Sequence, residues 1–168
     1  LRISRQRQDD YAPESVRRAQ QAVASGALRD EIAPVRVQTR KGEVLVSEDE
    51  TPGQCDVAKI PLLKPAFVKD GSVTPANSSS ISDGAAALIL MRESQASAQG
   101  IQPLARLVAH ATHAHHPSLF ATAPVPAIRR VLDKAGWQVG EVDLFEINEA
   151  FAVVSLVTMS KLEIPHAK

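Results

Sequence analysis

Cysteine, tryptophan and tyrosine each occur once in 168 residues, methionine twice, and aromatic side chains make up only 4% of the chain. A single cysteine, Cys55, cannot close an internal disulfide, which excludes a disulfide-stapled secreted scaffold and points to a reducing compartment, most simply the cytoplasm. An excess of charge of either sign is also missing. Nineteen Lys and Arg balance nineteen Asp and Glu, so the chain has no overall electrostatic footprint for nucleic acid or an anionic bilayer. Local arginines can still meet a phosphate. No apolar run is long enough to cross a membrane or to act as a secretory signal, and neither an internal repeat nor a low-complexity tract is present. What remains is ordinary globular material, 44% hydrophobic and 23% charged, enough to bury roughly 70% of the extended-chain surface. The chain opens on Leu1 and closes at Ile164-Pro165-His166-Ala167-Lys168 without a capping turn. The expectation is a portion of a longer polypeptide.

The first eighty residues are irregular. Ser4 is suited to cap a helix running to Ala24, with Pro13 starting a second short helix and Gly26 ending it. Arg17, Arg18, Asp9 and Asp10 are expected to face water. Pro34–Thr39 and Glu43–Ser47 alternate apolar and polar residues around Lys41-Gly42, the pattern of a surface hairpin with one solvated face. Two prolines break the apolar segment Ile60-Pro61-Leu62-Leu63-Lys64-Pro65-Ala66-Phe67, so it forms short turns and can present Leu63 and Phe67 as an apolar wall. From Asp83 onward the rhythm changes. Asp83–Met91 and Val142–Ile147 read as buried strands and Leu104–Thr112 as another candidate, alternating with helices at Arg92–Gly100 and Val125–Ala135. The second helix aligns Ile128, Val131, Leu132 and Ala135 on one face and stops at Gly136. Alternating strands and helices predict an α/β layer with mostly parallel pairing. The boundary falls near Ser79, with an α+β region before it.

Candidate chemistry is sparse. Asn148 in Asn148-Glu149-Ala150-Phe151-Ala152 stands where a strand gives way to a helix, and at such a junction backbone donors and a carboxamide can converge on a developing oxyanion. Its simpler role is to cap that helix. No plausible nucleophile and base accompany it. Ser78-Ser79-Ser80 lacks the Gly-x-Ser-x-Gly elbow that exposes a catalytic hydroxyl, so these serines read as loop-forming. Cys55 has neither a neighbouring histidine nor a helix N-terminus to activate it. Within His110, His113, His115 and His116, residues 113 and 115 share a face of an extended strand and could bite one metal. Solvated histidines at a strand end are the plainer account, because no cysteine and few carboxylates lie near to complete a shell.

Two segments together resemble the thiolases, the acetyl-CoA acetyltransferases and 3-ketoacyl-CoA thiolases. They are Leu63-Lys64-Pro65-Ala66-Phe67-Val68-Lys69-Asp70-Gly71-Ser72-Val73-Thr74-Pro75-Ala76-Asn77-Ser78-Ser79-Ser80-Ile81-Ser82-Asp83-Gly84-Ala85-Ala86-Ala87 and Glu146-Ile147-Asn148-Glu149-Ala150-Phe151-Ala152. The likeness runs over essentially the whole chain, including Ile3–Ala12 and Glu31–Val35. It implies two related α/β halves stacked as five αβαβα layers, with an inserted α+β loop domain that binds coenzyme A. Residues 1–79 would be the later part of that loop domain, 80–102 the end of the N-terminal half, and 103–168 the start of the C-terminal half.

The resemblance implies acyl transfer and Claisen condensation or thiolysis between acetyl-CoA and acyl-CoA through an acyl-cysteine intermediate. Asn148 matches the asparagine that fixes a water in the enolate oxyanion hole, with Glu149 supporting it. Leu63, Ala66, Phe67, Pro75, Ser79, Ala150 and Phe151 fall where the family meets coenzyme A. Phe120 stands where many members carry a methionine at the acyl pocket. Coenzyme A and acetyl-CoA would be substrates, no cofactor would be held permanently, and the assembly would be a homodimer or homotetramer. The nucleophilic cysteine would lie upstream of this chain, and the catalytic histidine and base cysteine downstream, so the isolated chain is expected to be inactive. A non-catalytic acyl-CoA-binding or assembly module is the alternative, and a histidine-based metalloenzyme is a further one.

Overall fold

The computed structural model describes residues 2–168, and by its contacts the chain divides into two compact units, Leu1–Ser79 and Ser80–Lys168.

The first unit is organised by helix α1, Arg5–Ser25. Its ends follow from the sequence. The Ser4 hydroxyl accepts from the Arg7 amide at 3.1 Å, and Gly26 takes the left-handed conformation (φ +70°) that closes the last turn. The expected break at Pro13 does not occur, because α1 runs through it as one helix. Proline removes one amide donor and leaves the bonds on either side intact, and the flanking turns are tied down. Gln8, Asp9, Tyr11 and Ala12 are buried before it, and Glu14 bonds Arg17 and Arg18 after it. Asp9 also departs from expectation. It is 7% exposed, paired with Arg5, and bonded to the Asn77 amide nitrogen at 3.2 Å.

Strands β1 (Val35–Thr39) and β2 (Gly42–Val46) form the expected antiparallel hairpin, with Val35 opposite Val46 and Val37 opposite Val44. Gly42, at φ +119°, makes the turn that a residue with a Cβ resists. Both faces of the ribbon are exposed, however, rather than one. A short helix α2 (Thr51–Gln54) and a 3-10 turn at Val57–Leu62 follow, and Ile60 of that turn is buried.

In the second unit, α3 (Glu93–Ala98) is short, while α4 (Pro124–Ala135) packs on α5 (Ala152–Leu162) and a 3-10 turn at Pro117–Thr122 packs on both. Gly136 stops α4 at φ +73° as its position predicts. Helix α5 forms the centre of the unit, with Val154, Leu156, Val157 and Leu162 buried. The expected strands Asp83–Met91, Leu104–Thr112 and Val142–Ile147 carry no ladder; among the described residues the one sheet is that of β1 and β2. Leu88, Ile89 and Leu90 are at least 80% exposed. A strand exists by hydrogen bonding to a neighbour, and no described segment supplies one to these runs. Their composition remains that of strands covered on both faces.

Candidate functional site

Candidate functional residues occur in both units. In the first, residues 60–79 form a braced loop rather than a free one. Arg5 reaches out of α1 and donates from Nη2 to the Leu63 carbonyl at 2.9 Å and to the Ile60 carbonyl at 3.4 Å. The Ala66 amide donates to the Val73 carbonyl at 2.8 Å, closing a loop in which the Gly71 amide donates back to the Val68 carbonyl at 3.0 Å. At its tip Phe67 is 73% exposed and Val68 follows it outward, while Leu63 is half-buried. The turn has no room for a side chain at residue 71. A Cβ there would sit 2.9 Å from both the Val68 carbonyl oxygen and Val68 Cγ2. Gly71→Ala should therefore cost about 1–3 kcal/mol, the range for overpacking. Amide exchange at Ala66 should accelerate with it, and unchanged exchange would show that the turn relaxes.

Below this tip Asn77 acts as a polar hub. Its Oδ1 accepts from the Thr74 amide at 2.8 Å, and its Nδ2 donates to the Ser72 carbonyl at 3.0 Å and to Asp9 Oδ1 at 3.2 Å. Thr74 is fully buried and Pro75 is exposed above it. The Ser78 hydroxyl donates to the Thr74 carbonyl at 2.7 Å, a backbone-bonding serine rather than a nucleophile, and Ser79 is exposed. The Arg5, Asp9 and Asn77 anchor went unread in the sequence. Two signals pointed to it: the Arg5/Asp9 spacing of four on a helix, and Thr74-Pro75-Ala76-Asn77, a capping-box spacing.

In the second unit the chain reaches α5 through Asn148, Glu149 and Ala150. Lys168 steadies the approach: its carbonyl accepts from the Phe145 amide at 2.8 Å and its Nζ donates to the carbonyls of Val142 at 2.6 Å and Gly140 at 3.1 Å. The N-cap of α5 is Phe151, in extended conformation, with no capping bond from its own side chain. Asn148 is therefore not the capping residue. Asn148 is exposed, four residues before the start of a helix whose leading amides carry a partial positive charge. Such an arrangement suits a developing negative charge. The half-buried Ala150 separates it from Phe151. The Phe151 ring meets Phe120 edge-on, with centroids 5.8 Å apart at 65°, so two residues far apart in sequence form one aromatic wall. Phe120 is 48% exposed and available to a ligand on its open side.

Among the described residues no group of three or more histidine, cysteine or carboxylate side chains could hold an ion. Instead His113 and His115 bond each other and His116 bonds Ser118. Cys55 is half-buried beside α2.

Family models of known proteins match this chain in two stretches. The thiolase N-terminal domain matches residues 1–94 and the thiolase C-terminal domain residues 101–168. A probable acetyl-CoA acetyltransferase of Dictyostelium discoideum is 48% identical over 168 residues, covering 99% of this chain and 41% of its own. The crystal structure of the Bacillus anthracis acetyl-CoA acetyltransferase superposes with a TM-score of 0.93 at 42% identity, covering 99% of this chain and 42% of that one. Human mitochondrial 3-ketoacyl-CoA thiolase superposes with a TM-score of 0.86 at 36% identity and the same coverage. The chain thus spans about two fifths of the length of these relatives.

Proposed function

Because the chain belongs to the thiolase family, we propose that the protein carrying it transfers acetyl groups between coenzyme A thioesters, condensing two acetyl-CoA molecules or cleaving a 3-ketoacyl-CoA by thiolysis. In the thiolase α/β fold, residues 1–79 then act as the later part of a coenzyme A-binding loop domain. Residues 80–102 end the N-terminal half, and 103–168 open the C-terminal half. The unpaired apolar runs Asp83–Met91, Leu104–Thr112 and Val142–Ile147 are sheet strands whose neighbours come from the rest of the protein. This accounts for the exposure of runs composed like a buried sheet.

In this reading an acetyl group moves from the coenzyme A sulfur to a cysteine thiolate, which expels the coenzyme A thiolate. A second cysteine takes a proton from the methyl carbon of the next acetyl-CoA. The resulting enolate attacks the acyl-cysteine carbonyl, forms the new carbon–carbon bond, and releases the cysteine thiolate. Neither sulfur belongs to this chain, whose one cysteine has no partner suited to either role. Asn148 orients a water toward the enolate oxygen and is backed by Glu149. Leu63, Ala66, Phe67, Pro75, Ser79, Ala150 and Phe151 line the coenzyme A path, and Phe120 shapes the end of the acyl pocket. Coenzyme A is a substrate rather than a resident cofactor, and the full assembly is a cytoplasmic homodimer or homotetramer.

The observation that carries the proposal is the position of Asn148. Phe151 rather than Asn148 is the N-cap of α5, and Asn148 is an exposed residue of the segment leading into that helix. The test is a thiolysis assay with acetoacetyl-CoA and free coenzyme A on the full-length gene product. Production of acetyl-CoA is expected. Binding of coenzyme A with no turnover would favour a non-catalytic acyl-CoA-binding module instead. The 168-residue chain by itself should show no turnover.

A further inference from the structure

The histidine pair has a hydrogen-bond direction that its geometry determines. His115 Nε2 lies 2.8 Å from the Leu119 carbonyl oxygen, which can only accept, so Nε2 carries the proton. In the neutral ring His115 Nδ1 is then an acceptor. His113 Nε2 stands 3.3 Å from it and must be the donor. The remaining atom, His113 Nδ1, is buried without a hydrogen-bond partner. One chain of bonds therefore runs from His113 through His115 to the carbonyl of Leu119, the residue before Phe120.

We infer that His113 and His115 are positioning residues: a neutral imidazole relay that holds the Pro117–Thr122 turn, sets the Phe120 ring against Phe151, and so tunes acyl-chain preference. This deepens the thiolase reading and rests on it for the substrate. The relay works only while both rings are neutral. A second proton on His115 goes to Nδ1 and faces the His113 N–H. A second proton on His113 goes to Nδ1, which is shielded and has no acceptor. Charged and titratable neighbours reinforce this. Arg130 of α4 acts on His113, and the same arginine donates to the Thr112 carbonyl at 3.0 Å. Lys134, also of α4, donates to the His110 carbonyl, and His116, at the start of the turn, is engaged with Ser118. Desolvation first, then Arg130 and His115, lower the His113 pKa below its ordinary 6.5. The sign follows. With the folded value depressed, the relay is intact above pH 6.5 and is progressively lost as pH falls below it toward the folded value.

Nitrogen-15 NMR of the imidazole rings should show both histidines protonated on Nε2 at neutral pH; an Nδ1–H tautomer on either ring would overturn the relay. In the full-length gene product, the ratio of kcat/KM for acetoacetyl-CoA to that for 3-ketohexanoyl-CoA cancels groups that titrate in common. That ratio should change about three- to tenfold on acidification below pH 6.5, the scale of one lost neutral hydrogen bond. His113→Leu should show the acid ratio at all pH values. His113→Gln, which keeps a donor near the Nε2 position, should keep the neutral ratio at neutral pH, where His113→Leu does not. A pH-independent wild-type ratio, or a leucine variant with the wild-type profile, would overturn the inference. Complete absence of thiolysis would overturn the thiolase reading, and the ring spectra would still decide the relay.

Discussion

Asn148→Ala in the full-length gene product should lower the rate of acetyl-CoA condensation on the order of a hundredfold, corresponding to about 3 kcal/mol in the barrier, while leaving the melting temperature nearly unchanged. The two halves of this expectation come from different observations. A loss of that size follows from removing one preorganised donor aimed, through water, at an oxyanion. The barely altered stability follows from the surroundings of Asn148. Asn148 is exposed, and the helix after it starts at Ala152 with Phe151 as its N-cap. A helix-capping asparagine would behave oppositely: its alanine variant would lose roughly 0.5–2 kcal/mol of stability, with activity falling only as the fold weakens. Measuring kcat and the thermal midpoint on the same preparation separates the two roles. Full activity in the alanine variant would remove Asn148 from the chemistry.

The second large effect is on stability. Asn77→Leu should destabilise the first unit by about 3 kcal/mol or more, because it leaves the Thr74 amide and the Ser72 carbonyl without a partner, each orphan costing about 1–3 kcal/mol, and strips the buried Asp9 carboxylate of one bond so that Arg5 alone holds it. For a domain near this size that is a fall of about 6–12 °C in the melting midpoint. Asn77→Asp should not rescue it, since it keeps the acceptor for Thr74 but sets a second carboxylate against Asp9. The functional consequence is distinct from that of Asn148→Ala. Loosening the stretch between Ser72 and Ser79 should raise KM for coenzyme A thioesters before it lowers kcat. A midpoint within about 2 °C of the parent would mean that water replaces all three bonds.

The local punctuation of this fold was legible in the sequence, and its long-range pairing was not. Ser4, Gly26 and Gly136 act where their own backbone preferences place them, and Lys41-Gly42 turns the hairpin because few residues accept φ +119°. Pro13 misleads because a proline removes only one bond, and the turns around it are held by burial and by Glu14 with its two arginines. Asp9 misleads for a related reason: a charged residue reads as solvated until its partners are known, and Asn77 lies 68 positions away. The apolar runs were composed as central strands, yet pairing depends on neighbours that no described residue provides. As for the candidate site, periodicity and spacing led only to Asn148 at a helix entrance. The prolines around Phe67 also indicated an exposed apolar wall, while Phe120 and Phe151 came from family likeness. The meeting of the Phe120 and Phe151 rings depends on the packing of the 3-10 turn against α5, which no local pattern encodes.

Incubating the full-length gene product with acetyl-CoA, quenching it in acid, and mapping the acetylated peptide by mass spectrometry tests the central claim most directly. The account predicts one acetyl thioester, on a cysteine outside these 168 residues, with Cys55 unmodified. An acetyl group on Cys55, or no acetyl-enzyme in a preparation that turns over, would contradict it.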